Sequence, residues 1–177
     1  MGGDGDADAD RDADADADAD ADGSSPSSSL PHVLRRGDEL IAAGYAMFGV
    51  ATQLVVTCGE GVDGFTLQPD LQRFVLTRPR LKMPLRGRVV SINLGHRKEW
   101  SAAVAEHVNR LCEARTLRYI GTLVADLHRT MLYGGIFLYP GSRKRPHGKL
   151  KLIYEAAPMA FLMEQVTRWS KAAEYAT

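Results

Sequence analysis

The segment from Arg118 to Tyr154, RYIGTLVADLHRTMLYGGIFLYPGSRKRPHGKLKLIY, constrains the fold more than any other part of this chain, because a helix signal, two strand signals and a basic turn follow one another in it. Leu123, Leu127 and Met131, with Val124 and Leu132 beside them, recur at helical spacing and form one apolar stripe. Gly134-Gly135 ends that helix. Ile136 to Tyr139 and Leu150 to Tyr154 are β-rich runs on either side of a turn holding Pro140, Gly141, Pro146 and Gly148, and the pattern predicts that they pair as neighbouring strands. The polar residues left over, Arg118, Tyr119, Tyr139, Lys149 and Lys151, are hydroxyl donors and cations of the kind that bind oxyanions such as phosphate. The bland alternative is that the two tyrosines are core residues with satisfied hydroxyls.

The flanks supply the rest of an α/β unit. DELIAAG over Asp38 to Gly44 reads as a short helix or turn, and Ala46 to Thr57 as a β-rich run. Phe65-Thr66-Leu67 and Phe74-Val75-Leu76 predict a hairpin around Gln68-Pro69-Asp70. The glycines from Gly59 to Gly64 make a turn and not a phosphate loop, which would need a lysine and a following helix. Another strand lies within Arg86 to Ile92. Trp100 to Leu111, with Val104, Val108 and Leu111 on one stripe, predicts an amphipathic helix, and Pro158 suits the first position of a helix over Met159 to Trp169. The expected architecture is a mixed β-sheet covered by helices.

Charge separates the tail from the body. The net charge is zero, yet ten of the twenty-two acidic residues fall between Asp4 and Asp22 with only Arg11 against them, so the remainder is strongly basic. A basic body suits an anionic ligand. No nucleic-acid recognition motif accompanies it, and scattered lysines and arginines read as a solvated surface, so a nucleic-acid partner is not expected. Residues 1–29, an Asp-Ala alternation and a Ser/Pro run, lack the apolar surface that ordering requires and predict a disordered tail. Cys58 and Cys112 show no CxxC or metal-type spacing and predict free, buried thiols in a reducing compartment. No run is apolar and long enough for a bilayer, and the acidic start is unlike a secretory signal; the expected location is cytoplasmic, without a membrane partner.

RYIGTLVADLHRT, YGGIFLYP and GKLKLIYE closely resemble the carboxy-terminal domain of class 1 fructose-1,6-bisphosphatases, and the resemblance continues through AAGYAMFGVAT, SINLG and EAAPMAFLMEQ. It covers residues 37–165, with 166–177 a divergent tail and the family's amino-terminal domain and last segment missing. The implied fold is that of the sugar-phosphatase carboxy-terminal domain. The implied activity is magnesium-dependent hydrolysis of the 1-phosphate of fructose 1,6-bisphosphate to fructose 6-phosphate, in gluconeogenesis, by a homo-oligomer that is a tetramer in the family.

The resemblance also implies roles for residues. Asn93, Tyr119 and Tyr139 would contact the distal phosphate, Lys149 the sugar and phosphate, and Arg118 the same phosphate in a neighbouring subunit; Gly95, Gly121, Leu123 and Lys151 fall in the same substrate-binding motifs. Leu94 stands where the family has glutamate and His96 where relatives have tyrosine; His96 reads as a surface residue, or in its cationic form as a phosphate ligand. Glu155 is the one metal ligand that the resemblance implies, expected at a strand end. One carboxylate does not build a multi-cation site, so the chain is expected to be inactive alone. Asp22-Gly23-Ser24-Ser25 matches the end of a family metal motif out of register, with Ala19 where its first aspartate belongs. The alternatives are a non-catalytic variant pairing with full-length subunits and a generic phosphate-binding module.

Overall fold

A computed structural model of the chain describes residues 35–174, with side chains to position 168. The acidic tail and the Asp22 motif lie outside the described residues. Among the described residues there are seven strands in two sheets and three α-helices, so antiparallel and parallel pairing, expected within one mixed sheet, are divided between the two sheets.

The first sheet is an antiparallel meander in the order β1-β2-β3-β4, from Ala43–Met47, Gln53–Thr57, Asp63–Gln68 and Arg73–Arg78. Ala46 to Thr57 is therefore not one continuous run. Met47 pairs with Gln53, and the chain reverses between them through Phe48-Gly49-Val50, whose two apolar side chains are fully exposed. The expected second hairpin is present, with Leu67 opposite Phe74 and a turn of 3₁₀ helix at Pro69–Leu71. One face of this sheet buries Tyr45, Val55 and Val62 against Leu127, Met131, Met159, Leu162 and Val166 from two helices. Ile41, Phe48, Val50, Phe74 and Leu76 remain exposed.

The second sheet is parallel, in the order β6-β5-β7, from Thr116–Leu117, Val89–Ser91 and Ile136–Phe137. Parallel neighbours need crossovers, and helices supply them: α1, Ala102–Ala114, leads from β5 to β6, and α2, Leu123–Tyr133, leads from β6 to β7. Ser101 caps α1 through its hydroxyl, which accepts the Val104 N–H at 3.3 Å. The apolar stripe of α1 packs Val108 onto Val90, Ile92 and Trp100. Gly134, at φ 72°, ends α2 as expected, and the close packing of Gly134-Gly135 on Gly87 and Val89 leaves no room for a Cβ.

The third helix, α3, is Ala157–Glu174, and what precedes it corrects the sequence reading. Leu150 to Tyr154 is not a strand paired with Ile136 to Tyr139. Leu152–Ala156 is a π-helical turn, with Ala156 N–H donating to the Lys151 carbonyl at 2.9 Å, while β7 pairs with β5 instead. Two local causes favour it. Pro158 has no N–H to donate to the preceding turn and would crowd a tightly wound one, and the Glu155 carboxylate accepts the Lys151 N–H at 2.7 Å, folding the segment back on itself. Leu152, Ile153 and Tyr154 are left exposed. Cys58 is exposed, not buried, and Cys112 is half-buried; both are free thiols. Cys58 follows the last residue of β2, where the chain leaves the sheet for the turn at Gly59.

Candidate anion-binding site

Three parallel strands end on the same side of the second sheet, and each continues into a polar residue: β5 into Ile92-Asn93, β6 into Arg118-Tyr119, β7 into Leu138-Tyr139. Ligands of open parallel sheets bind beyond the carboxyl ends of the strands, where the connections diverge. A pocket of about 220 Å³ lies there. Its apolar base is Ile92, Trp100 and Leu138, and its polar lining includes Asn93, His96, Tyr139 and Lys149. Trp100 is buried in the cluster beneath the sheet, so this part of the wall belongs to the core.

Each polar group is held by its neighbours. Asn93 precedes the 3₁₀ turn Leu94–Glu99, and its Oδ1 accepts the Gly95 N–H at 2.9 Å. The Tyr119 hydroxyl lies near enough to the Asn93 side chain, the Tyr139 hydroxyl and the Lys149 ammonium for each to influence its ionisation. Partial burial pushes the Tyr119 hydroxyl above its ordinary value; Tyr139 and Asp126 add to that, and Asn93 and Lys149 oppose it. Tyr119 is thus a neutral donor at physiological pH.

Asp126 fixes the loop that carries Tyr119. It lies on α2, is fully buried, and accepts the N–H groups of Ile120 at 3.1 Å and Gly121 at 3.0 Å, the Ser91 hydroxyl at 2.7 Å and Arg129 Nη2 at 2.6 Å. Arg129 also donates to the Arg118 carbonyl at 2.8 Å. The buried charge is therefore paired and saturated with donors, as burial of a carboxylate demands. Gly121, at φ 94°, makes the bend that presents its N–H to Asp126.

Of the residues singled out from the sequence, Asn93, His96, Tyr139 and Lys149 line one pocket and Tyr119 adjoins them. Arg118, Gly95, Gly121, Leu123, Lys151 and Glu155 do not line it. Leu123 packs against the core of the first sheet, and Arg118 and Lys151 are exposed. Glu155 sits in the π-helical turn and not at a strand end. Among the described residues no three His, Cys, Asp or Glu side chains gather as a cation site, and Glu155 Oε2 accepts the Lys151 N–H. Sequence reading missed Asp126, Ser91 and Arg129, and also Glu99, Ser142, Lys144 and Arg145 in the pocket wall. Asp126 carried a weak signal: it is an acid beside Leu127, a member of the apolar stripe, with Arg129 one turn on as a partner.

Two family models match this chain: "Fructose-1-6-bisphosphatase, C-terminal domain" over residues 83–172, just over half of it, and "Fructose-1-6-bisphosphatase, N-terminal domain" over residues 20–79. The chain belongs to the fructose-1,6-bisphosphatase family. Among curated relatives it is similar to the cytosolic fructose-1,6-bisphosphatase of Brassica napus, 50% identical over 140 residues, covering 75% of this chain and 41% of that protein. It is also similar to that of Spinacia oleracea, 47% identical over 145 residues, covering 78% of this chain and 42% of the relative. The crystal structure of Leishmania major fructose-1,6-bisphosphatase in holo form matches with a TM-score of 0.73 at 44% identity, over 76% of this chain and 42% of that one. The chain thus spans about two-fifths of the length of the relatives it matches. The two family models meet between residues 79 and 83, which corrects the expectation that residues 37–165 all belong to the carboxy-terminal domain and that the amino-terminal domain is missing: residues 20–79 match part of the latter. The antiparallel sheet falls on one side of that division, and the pocket at the parallel strand ends falls wholly on the other. No helix among the described residues is long and apolar enough to cross a membrane.

Proposed function

We propose that this chain is the sugar-phosphate-holding part of a fructose-1,6-bisphosphatase, and that residues 37–165 act together to bind the distal phosphate of fructose 1,6-bisphosphate or fructose 6-phosphate. The observation that carries this reading is the convergence of Tyr119, Asn93 and Tyr139 from three parallel strand ends with Lys149 beside them. These are neutral or cationic donors, suited to a phosphate, and each charge-assisted bond contributes about 1.5–3 kcal/mol at best. An open pocket loses part of that to water and to ordering, so binding is weak. The relatives' names support the assignment to the gluconeogenic hydrolysis of the bisphosphate and a cytoplasmic location.

Hydrolysis itself is proposed to lie beyond what the described residues can do. Magnesium chemistry needs several carboxylates around the transferring phosphoryl group, and Glu155 is the one family-implied ligand among them. A second reading, a non-catalytic variant that pairs with full-length subunits, draws support from the exposed Phe48, Val50, Phe74 and Leu76. Calorimetric titration with fructose 6-phosphate, run beside a phosphate-release assay on the bisphosphate with magnesium, tests the proposal. Weak binding without turnover is the expected result. Turnover, or no binding at millimolar ligand, contradicts it.

A further inference from the structure

Glu99 is the one carboxylate that lines the pocket among the described residues. Its side chain lies 3.4 Å from Lys144 Nζ and 4.0 Å from His96 Nδ1. Its main-chain carbonyl accepts the Arg143 N–H at 2.9 Å. Glu99 therefore ties the turn that follows β5 to the basic loop that follows β7, and both segments contribute to the pocket wall. Lys144 is 81% exposed, and an ion pair so open to water is held weakly enough to be exchanged.

We propose that Glu99 is a built-in counter-ion: an anionic ligand must compete with it for Lys144, and this competition sets the affinity of the pocket. The inference rests on the sugar-phosphate reading of the site. In the empty pocket the lysine charge is partly neutralised, which limits occupation by small anions. A phosphate entering beside Tyr139 draws Lys144 away from Glu99 and leaves the carboxylate facing the ligand. The main-chain bond to Arg143 does not depend on the side-chain charge, so the two wall segments stay joined during the exchange. Lys144 and Glu99 thereby join the residues that determine how tightly a sugar phosphate is held, although neither was among the donors named from the sequence.

The test is calorimetric titration of the full chain with fructose 6-phosphate, for the unmodified protein, Glu99→Gln, Lys144→Ala and the double variant, with thermal melts confirming that each is folded. Glu99→Gln keeps the shape and the main-chain bond, and it is expected to tighten binding about three- to tenfold. In the Lys144→Ala background that gain is expected to shrink, because there is no cation left to release. An equal gain in both backgrounds would indicate simple repulsion and overturn the competition. Weaker binding by Glu99→Gln would overturn it too, by showing that the carboxylate chiefly holds the loop. If the unmodified chain binds and Lys149→Ala abolishes that binding while Glu99→Gln changes nothing, the site reading stands and the role of Glu99 falls. If none of the proteins binds, the site reading itself has failed.

Discussion

The Tyr45 hydroxyl and His128 Nδ1 share a buried hydrogen bond of 2.7 Å, with their rings edge to face at 5.9 Å between centroids. Tyr45 lies on β1 and His128 on α2, so the bond joins the regions matched by the two family models. Burial holds the imidazole below its ordinary value of 6.5, and the nearby Arg78 guanidinium adds to the effect. Burial also pushes the tyrosine hydroxyl well above its ordinary value, so both partners are neutral in the folded chain.

A pH dependence follows with a definite sign. The unfolded chain binds the His128 proton more readily than the folded one, so stability rises with pH wherever the two states differ. The full contribution is present above 6.5 and is lost as pH falls from there toward the lowered folded value. Urea unfolding at a series of pH values should show this decline, and His128→Gln should flatten it. Tyr45→Phe, which leaves the imidazole nitrogen unpaired, should cost about 1–3 kcal/mol at neutral pH.

Asp126 ties stability to the shape of the site. Asp126→Ala strands the Arg129 charge, whose side chain is 17% exposed, and frees two amides of the Tyr119 loop. Breaking a buried pair in this way costs about 3–5 kcal/mol. Ser91→Ala removes one of the donors and should cost about 1 kcal/mol. Denaturant melts measure both losses. Ser91→Ala should leave sugar-phosphate binding within about twofold, since the loop amides remain bonded to Asp126.

The exposed apolar side chains of the first sheet predict association. Phe48 is 80% exposed, and Phe74 and Leu76 lie on the edge strand β4, whose outer backbone groups have no partner strand among the described residues. Sedimentation at micromolar concentration should find dimers or larger species, and Phe74→Lys with Leu76→Lys should shift them toward monomer. A monomer at that concentration before any substitution would count against this.

How far the sequence reveals the structure depends on whether local signals act alone. Helix α2 and its Gly134-Gly135 stop are legible because the apolar period and the glycine requirement agree. The hairpin of β3 and β4 is legible for the same reason, with Pro69-Asp70 marking its turn. Leu150 to Tyr154 misleads because a β-rich run predicts a strand without supplying a partner edge, and Pro158 and Glu155 resolve the segment as a π-helical turn. The donors Asn93, Tyr119 and Tyr139 were recognisable by resemblance, but that they converge depends on strand order, which no local pattern encodes. Glu99 and Lys144 are separated by most of the chain's parallel sheet in sequence, and so their pairing was not legible.

The last prediction separates the phosphate-binding side of the pocket from the implied metal side. Lys149 lines the pocket close to Tyr119, whereas Glu155 lies outside it with its carboxylate turned onto the Lys151 N–H. Lys149→Ala should weaken fructose 6-phosphate binding about tenfold or more, the loss of one charge-assisted contact, whereas Glu155→Ala should leave binding within about twofold. Glu155→Ala should instead loosen the turn before α3, lowering stability by about 1 kcal/mol through the lost bond to the backbone. Titration calorimetry reads the first pair of effects and thermal unfolding the second. Should Glu155→Ala abolish binding, the carboxylate would have to act on the ligand directly, and the division of the site between donors at the parallel strand ends and a separate π-helical turn would be wrong.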